Sequence, residues 1–211
     1  LDDIFAEGFQ AVLIAVGAHE GIRLPILGND LEGVLINTQF LRDVRLREIS
    51  DPKSQISNIK RQTSNDSPSS TAGDLRLDTC DLIFGKRVLV LGGGNVAIDV
   101  ARTAVRLGAG EVHMTCLEGR HNMPAHEWEI QAALDEGIVV HNDRAFLRVV
   151  ENSDGRVGGV ECQRVAHFEF DDQGRLSVET VEGSEHILPA DVVIFSVGQR
   201  AGLAFIPEDA G

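Results

Sequence analysis

Tyrosine is missing from this 211-residue chain, and cationic side chains are scarce in it. Without tyrosine the chain cannot supply the Tyr/Lys catalytic pair of short-chain dehydrogenases. Lys and Arg number 19 against 33 Asp and Glu, so the formal net charge is -14 at pH 7. A nucleic-acid surface needs clustered cations to neutralise phosphates, so this acidic balance argues against a nucleic-acid partner.

Cysteine is also rare: Cys80, Cys116 and Cys162 are widely spaced and form no C-x-x-C motif. Neither a disulfide framework, nor a zinc site, nor a redox-active dithiol is therefore indicated. Isolated thiols are typical of a reducing compartment, so we expect a cytoplasmic protein. The histidines show no H-x-x-x-H spacing, which predicts no metal site. No apolar run approaches the ~20 residues of a membrane span, so no membrane association is expected.

Two apolar runs that end in Val-Gly stand far apart in the chain. Residues 8–17 and 191–198 are rich in Val and Ile and finish on glycine. Such runs predict buried parallel strands, whose terminal glycine would let the backbone approach a ligand. The pair suggests two dinucleotide-type sheets, although Val-Gly also ends many buried strands that have no ligand.

The composition changes between these two runs. Residues 37–46 predict a short helix capped by Asn37. Residues 49–80 are rich in Ser, Asn and Asp, and a segment with so few apolar residues cannot offset its ordering entropy, so we expect a flexible insertion there. The predicted organisation is a first segment at 1–48, the insertion at 49–80, a dinucleotide-binding domain at 81–198 and a return segment at 199–211.

From residue 86 onward the pattern is that of a mononucleotide-binding half. The sequence predicts strands at 87–91, 111–117 and 138–141, alternating with helices at 95–107 and 124–136. The apolar period then changes to two, which predicts antiparallel strands at 146–150, 157–170 and 176–181. The predicted fold class is α/β: a Rossmann-like parallel sheet with an antiparallel three-stranded meander.

A glycine motif lies between the first of these strands and its helix. It reads Gly92-Gly93-Gly94-Asn95-Val96-Ala97 and satisfies G-x-G-x-x-[GA]. Gly92 permits the tight turn, Gly94 leaves the backbone open to pyrophosphate oxygens, and Ala97 lets the helix lie close to the strand. The helix N-terminus adds unpaired N–H groups and about half a positive charge. In this context the motif predicts a dinucleotide site rather than an ordinary tight turn.

Glu118 follows the second predicted strand, where an acidic side chain commonly accepts hydrogen bonds from the adenosine ribose. A solvated loop carboxylate is the alternative. Beside the ribose, Glu118 would repel a 2′-phosphate and so favour NAD over NADP. Arg120 and Arg144 could offset this preference by binding a phosphate. The sequence contains no nucleophile and base whose spacing would make them neighbours, so no catalytic residue is assigned. Bound cofactors would then carry the chemistry.

Three stretches of the chain together resemble one family. They read GKRVLVLGGGNVAIDVARTAVRLGA, NMPAHEWEIQAALDEGI and DVVIFSVGQ. They are similar to the NAD(P)-binding domain of the glutamate synthase small (beta) subunit and related FAD-dependent oxidoreductases, which include the flavin part of dihydropyrimidine dehydrogenase. The opening stretch looks like the connector from the first half of that family's flavin domain. The resemblance covers nearly the whole chain apart from residues 49–79.

The resemblance implies that NAD(P)H reduces FAD by hydride transfer, and that electrons then pass to iron–sulfur clusters in another domain or a partner subunit. By position it implies four groups of binding residues. They are Gly92, Gly94, Asn95 and Val96 at the pyrophosphate, Glu118 and Arg120 at the adenosine ribose, Val197, Gly198 and Gln199 near the nicotinamide, and Val16, Gly17 and Ala18 where the chain passes the flavin.

The chain also departs from the family pattern. Many members have Asp in place of Asn95, and glutamate synthase small subunits typically have two arginines in place of Leu117 and Glu118. The chain starts at Leu1 and stops without an end signal, so we expect an excerpt flanked by partial flavin-domain segments, which binds FAD poorly and is inactive alone.

Other function classes are weaker. An NAD(H)-sensing module would share the glycine motif. A disulfide reductase of the thioredoxin-reductase type needs paired thiols. A methyltransferase could use the glycine turn and Glu118, but it leaves the paired Val-Gly runs without a role.

Overall fold

The computed structural model of the chain describes residues 2–50, 79–173, 175–204 and 206. Its helices are α1 (Asp2–Ala6), α2 (Asn37–Ser50), α3 (Thr79–Ile83), α4 (Asn95–Arg106) and α5 (Glu127–Asp135), with a 3-10 turn at Arg120–Asn122. Its strands are β1 (Glu20–Gly21), β2 (Val34–Ile36), β3 (Arg87–Leu91), β4 (Glu111–Thr115), β5 (Val139–His141), β6 (Arg144–Glu151), β7 (Val157–Phe170), β8 (Leu176–Thr180), β9 (His186–Pro189), β10 (Val192–Phe195) and β11 (Gln199–Arg200).

A five-stranded parallel sheet forms the centre of the fold, in the order β2-β10-β3-β4-β5. Every residue of β10 is buried, as are the last four residues of β3. Strands covered on both faces need apolar side chains throughout, which is why these runs show no alternation. The parallel strands predicted within 87–91, 111–117, 138–141 and 191–198 are confirmed. The sequence did not predict β2, a three-residue strand that pairs with β10.

Helix α4 covers one face of this sheet and buries Ala97, Ile98, Val100, Ala101 and Ala104. Helix α5 packs on the same side but begins at Glu127 rather than at the predicted Pro124. Just before it, the Ala125 and His126 N–H groups donate to the Gly93 carbonyl and to Asn95 Oδ1. Because that backbone is held by the glycine turn, the helix starts later.

The other face is covered by an antiparallel sheet of four strands, not the predicted three. Strands β6, β7 and β8 pair in order, and β9 pairs with β7. The strand that the sequence did not predict is β9. It has four residues and ends in Pro189, so its sequence is too short to show an alternation of apolar and polar residues. Side chains of both sheets share a second core, which includes Leu89, Phe195, Val160 and Cys162.

The expected buried strand at residues 8–17 is wrong. Residues 11–19 carry no regular secondary structure. The Leu13 side chain is 92% exposed. A strand requires a neighbour for its backbone hydrogen bonds, and the structure as described pairs no strand with this run. Regular structure resumes at β1, which pairs antiparallel with β11 in a register that joins Glu20 to Arg200 and Gly21 to Gln199.

The predicted flexible insertion falls largely on residues 51–78, which lie outside the described part of the chain. Its predicted margins are wrong, since α2 continues to Ser50 and α3 begins at Thr79. The predicted return segment is described only in part, since residues 205 and 207–211 also lie outside the described residues. Among the helices that are described, none has both the length and the apolarity needed to cross a membrane.

Candidate cofactor-binding site

The three glycines after β3 serve different purposes. Gly92 has a φ of +137°, and a Cβ there would collide with the Ser196 carbonyl oxygen. At Gly93 a Cβ would lie 2.9 Å from the Cys116 Cβ and 3.1 Å from Glu118 Oε2. A Cβ at Gly94 would meet nothing within 4 Å. The fold therefore requires the first two glycines, whereas the third leaves open space in front of the backbone.

That open space faces the N-terminus of helix α4. Gly94 is the cap residue, with extended backbone and no side-chain hydrogen bond to the helix. The Ala97 and Ile98 N–H groups bond back to the Gly94 carbonyl at 2.9 and 3.2 Å. Within the described residues, the Asn95 and Val96 N–H groups have no hydrogen-bond acceptor. Uncapped N–H groups at the positive end of a helix dipole bind anions.

The Asn95 side chain holds the next loop against this turn. Its Oδ1 accepts a hydrogen bond from the His126 N–H at 3.0 Å, and the Ala125 N–H donates to the Gly93 carbonyl at 3.1 Å. An aspartate oxygen could accept the same bond. The Asn in place of the family's Asp therefore keeps this contact and removes one negative charge from the phosphate turn.

The turn opens into a cavity of about 1000 Å³, a volume at the upper end of small-molecule sites. Its walls come from six places: the glycine turn with the loop after β4, the start of α2, the loop before α5, the segment after β10, the connection before β2, and the antiparallel sheet. They comprise Leu24, Pro25, Ile26, Asn37, Gly92, Gly93, Gly94, Asn95, Val96, Ala97, Cys116, Leu117, Glu118, Pro124, Ala145, Phe146, Leu147, Gln163, Phe170, Leu176, Val178, Thr180, Ser196, Val197, Gly198 and Gln199.

Most of the sequence-predicted site residues meet in this cavity. The glycine motif, Glu118 and the segment 197–199 all line it. Arg120, Gly17 and Ala18 are not among the lining residues. Gly17 and Ala18 are exposed on the irregular segment before β1. The chain reaches the cavity rim only after β1, where the Ile22 N–H donates to the Gly198 carbonyl at 3.1 Å.

The Glu118 carboxylate lies beside the glycine turn without a cation. Its backbone carbonyl accepts hydrogen bonds from the Asp143 N–H at 3.2 Å and from Asn142 Nδ2 at 3.0 Å, which fix the loop after β4. In the part of the chain that the structure describes, no Lys, Arg or His nitrogen lies within 4.0 Å of this carboxylate. Any ligand group that enters here meets an unneutralised negative charge.

The two arginines that could offset this charge are bound elsewhere. Arg120 makes a two-pronged ion pair with Glu127, with N–O distances of 2.9 and 2.6 Å. The hydrogen bonds from Arg120 lower the pKa of the Glu127 carboxyl, so the pair stays charged at neutral pH. The Arg144 guanidinium donates to the Asn142 and Asp143 carbonyls at 3.0 Å and also contacts His186. Neither arginine lines the cavity.

The thiol in the cavity wall is unsuited to nucleophilic or redox work. Burial, together with the nearby Glu118 charge, raises the pKa of Cys116 to about 12. Burial likewise raises the pKa of Cys162 to about 12. Both are free cysteines in the interior. Because the thiolate is the reactive form, these two residues carry no disulfide chemistry at neutral pH.

Sequence reasoning missed several cavity residues. Asn37 is 1% exposed, and its Nδ2 lies 3.4 Å from Ser196 Oγ, yet the sequence analysis treated it only as a helix cap. The strand-end position of Ser196, next to Val197, was a usable signal. The walls at 24–26, 145–147 and 163–180 belong to no motif, because tertiary pairing alone brings them to the turn.

The fold agrees with comparisons to known proteins. The pyridine nucleotide-disulphide oxidoreductase family matches residues 4–211. The chain is 35% identical over 202 residues to the glutamate synthase [NADPH] small chain of Escherichia coli, covering 95% of this chain and 38% of that protein. It is 34% identical over 209 residues to subunit beta of an NADP(+)-dependent formate dehydrogenase from Moorella thermoacetica, covering 97% of this chain and 25% of that protein.

The fold is similar to that of FprA from Mycobacterium tuberculosis in complex with NADPH, with a TM-score of 0.62 at 19% identity over 98% of this chain and 53% of that one. The fold and the family match are those of an oxidoreductase domain. The chain belongs to the pyridine nucleotide-disulphide oxidoreductase family, which confirms the resemblance in the sequence. It spans between a quarter and two-fifths of the length of the two curated relatives named above.

Proposed function

We propose that this chain is the part of a flavin-dependent oxidoreductase that binds NAD(P)H and presents it for hydride transfer to FAD. The observation that carries the proposal is the bare backbone at Gly94, where uncapped N–H groups of helix α4 face a cavity of about 1000 Å³. Two or three hydrogen bonds to a charged pyrophosphate, each worth about 1.5–3 kcal/mol, would anchor the cofactor.

The order of the sheet gives the cofactor a direction. Glu118 follows β4 and would accept hydrogen bonds from the adenosine ribose. Residues 197–199 follow β10, on the other side of β3, and would border the nicotinamide. The bound nicotinamide supplies the hydride and the flavin accepts it. The chain's own residues orient the dinucleotide, and none is proposed to transfer a proton.

The flavin would approach at the nicotinamide end. Here the Gly198 carbonyl accepts a hydrogen bond from the Ile22 N–H, directly after β1, and Gly17 and Ala18, a few residues before β1, are exposed. Exposed backbone without side chains permits close approach of a planar ring. We propose that further parts of a longer protein complete the FAD site against this surface.

We propose that NADH binds at least as tightly as NADPH. Among the described residues no cation lies beside the Glu118 carboxylate, and Arg120 is held by Glu127, so a 2′-phosphate would meet repulsion of up to a few kcal/mol. The two relatives are an NADP(+)-dependent and an NADPH enzyme by name, so the preference proposed for this chain rests on its own charges.

Electron transfer onward would need a partner. The two relatives are named as a small chain and as a subunit beta, which supports a role inside a larger assembly. We propose iron–sulfur clusters in another domain or subunit as the acceptor. The reduced, buried thiols Cys116 and Cys162 are consistent with a cytoplasmic location.

A side-by-side titration of the 211-residue chain with NADH and NADPH tests the proposal. We expect binding of both, with NADH at least as tight, and Glu118→Ala should tighten NADPH while leaving NADH within about tenfold. Glu111→Ala, at the opposite end of β4, is the matched control and should change neither affinity. Absence of any binding would refute the function, and a clear NADPH preference of the unsubstituted chain would refute the role of Glu118.

A further inference from the structure

The distal part of β7 and β8 is a two-faced hairpin, which we call the β7–β8 hairpin (residues 165–180). Its register pairs Phe168 with Val178 and Phe170 with Leu176. The alternate pairs are His167 with Glu179 and Glu169 with Ser177. One face is therefore apolar and the other is polar and charged.

The apolar face of the hairpin forms a wall of the cofactor cavity. Phe170, Leu176, Val178 and Thr180 all line that cavity. These residues are still open to solvent, since Phe170 is 63% exposed and Leu176 is 45% exposed. An apolar face that stays open to solvent inside a concave site indicates a place for a ligand.

Hydrogen bonds place the hairpin at the adenosine end of the proposed site. The Val165 N–H, at its base, donates to the Asp143 carbonyl at 2.9 Å. The Asp143 N–H in turn donates to the Glu118 carbonyl at 3.2 Å. The base of the hairpin is thus linked, through Asp143 in the loop before β6, to the loop that carries Glu118. Residues 197–199, at the nicotinamide end, follow β10 two strands away from β4.

We infer that the apolar face of the β7–β8 hairpin binds the adenine ring of the dinucleotide, with the Phe170 ring stacked on the base. The inference rests on the proposed function and adds a residue-level seat for the base. Adenine fits the observations because it is flat, uncharged and attached to the ribose. At the cavity face of the hairpin, the Phe170 ring and the aliphatic side chains of Leu176 and Val178 can hold a flat ring by stacking and apolar contact.

Binding of ADP-ribose to the 211-residue chain tests this seat by calorimetry. Phe170→Ala removes one base–aromatic stack. This variant should therefore bind ADP-ribose about tenfold more weakly than the unsubstituted chain does. His167→Ala is the matched control, because it removes a ring of similar size from the opposite face, and it should leave the affinity unchanged. Phe170 is mostly exposed, so its loss should not unfold the chain.

A second readout follows the contact directly. With Trp128→Phe as background, Phe170→Trp introduces a single indole at the seat, and adenosine 5′-monophosphate should quench its fluorescence. If the unsubstituted chain binds ADP-ribose while Phe170→Ala binds it equally and the indole is not quenched, the adenine seat is wrong and the function stands. If the unsubstituted chain does not bind ADP-ribose, the proposed function itself fails.

Discussion

Residues 11–17 read AVLIAVG and residues 192–198 read VVIFSVG, two runs of the same length, the same apolar character and the same ending. The second run contains strand β10, in which every residue is buried. The first has no secondary structure and exposes 92% of the Leu13 side chain. Both runs end on a glycine with positive φ.

The difference between the two runs lies in their neighbours. Strand β10 bonds to β2 on one side and to β3 on the other, so its backbone groups are paired and its side chains are covered by helices and by the antiparallel sheet. Residues 11–17 have no paired strand in the described structure. Composition selects which segments can be strands, whereas a partner decides which of them become strands.

Truncating a side chain in each run gives the largest expected contrast. Ile194 is 0% exposed, and Ile194→Ala should lower the free energy of unfolding by about 2–5 kcal/mol. Leu13→Ala should change it by less than about 0.5 kcal/mol, because no packing is lost. Denaturant unfolding of both variants measures the two values. A substantial loss for Leu13→Ala would show that residues 11–17 pack as a strand in solution.

The glycines near the two Val-Gly ends provide a second contrast. Gly92→Ala forces a Cβ against the Ser196 carbonyl oxygen at a positive φ, and should lower the free energy of unfolding by about 2–4 kcal/mol. Gly17→Ala meets no atom within 4 Å and should lower it by only about 1 kcal/mol, from the left-handed backbone alone. Equal losses in thermal or denaturant unfolding would mean that the tight approach of β3 to β10 is absent.

The smallest expected effect concerns the start of β10. Asp191 accepts hydrogen bonds from the Arg87 N–H and guanidinium, with a shortest distance of 2.7 Å, and this contact lowers the pKa of the Asp191 carboxyl. A lowered folded-state pKa stabilises the fold above the ordinary carboxyl pKa, and that contribution disappears as the pH falls through the folded value.

Both partners of this pair are over a third exposed, at 44% and 37%, so screening limits the contribution of the pair. Arg87→Ala should lower the free energy of unfolding at neutral pH by less than about 1 kcal/mol and should flatten its decline below pH 4. An unchanged acid profile in the variant would show that the ion pair does not stabilise the start of β10.

The parts of the fold that the sequence predicted are those with a strong local pattern. Strand β3 is a continuous apolar run before a glycine, β4 follows a glycine, and helix α4 has apolar residues at helical spacing, so the sequence locates all three to within a few residues. The three-residue β2 and the Pro-ended β9 have no such pattern, since their pairing with β10 and β7 defines them. The start of α5 was misplaced because a side-chain acceptor from Asn95 engages its backbone.

The site divides in the same way. The glycine motif and Glu118 are adjacent to predicted strand ends, so the sequence locates them. The position of the Arg120 side chain depends on its ion pair with Glu127. The contribution of Phe170 to the cavity depends on where the β7–β8 hairpin packs. Residue spacing carries neither piece of information, because both arise from contacts between separate elements.

The central claim is that uncapped backbone at Gly94 binds the pyrophosphate. The most direct test is the affinity of Gly94→Ala for NADH, measured beside its free energy of unfolding. A Cβ there meets no protein atom within 4 Å and lies at a permitted negative φ, so stability should stay within about 1 kcal/mol of the unsubstituted chain. The methyl group would occupy the approach of the phosphates, and we expect NADH to bind at least about tenfold more weakly. Unchanged NADH affinity in a stably folded Gly94→Ala chain would contradict the account.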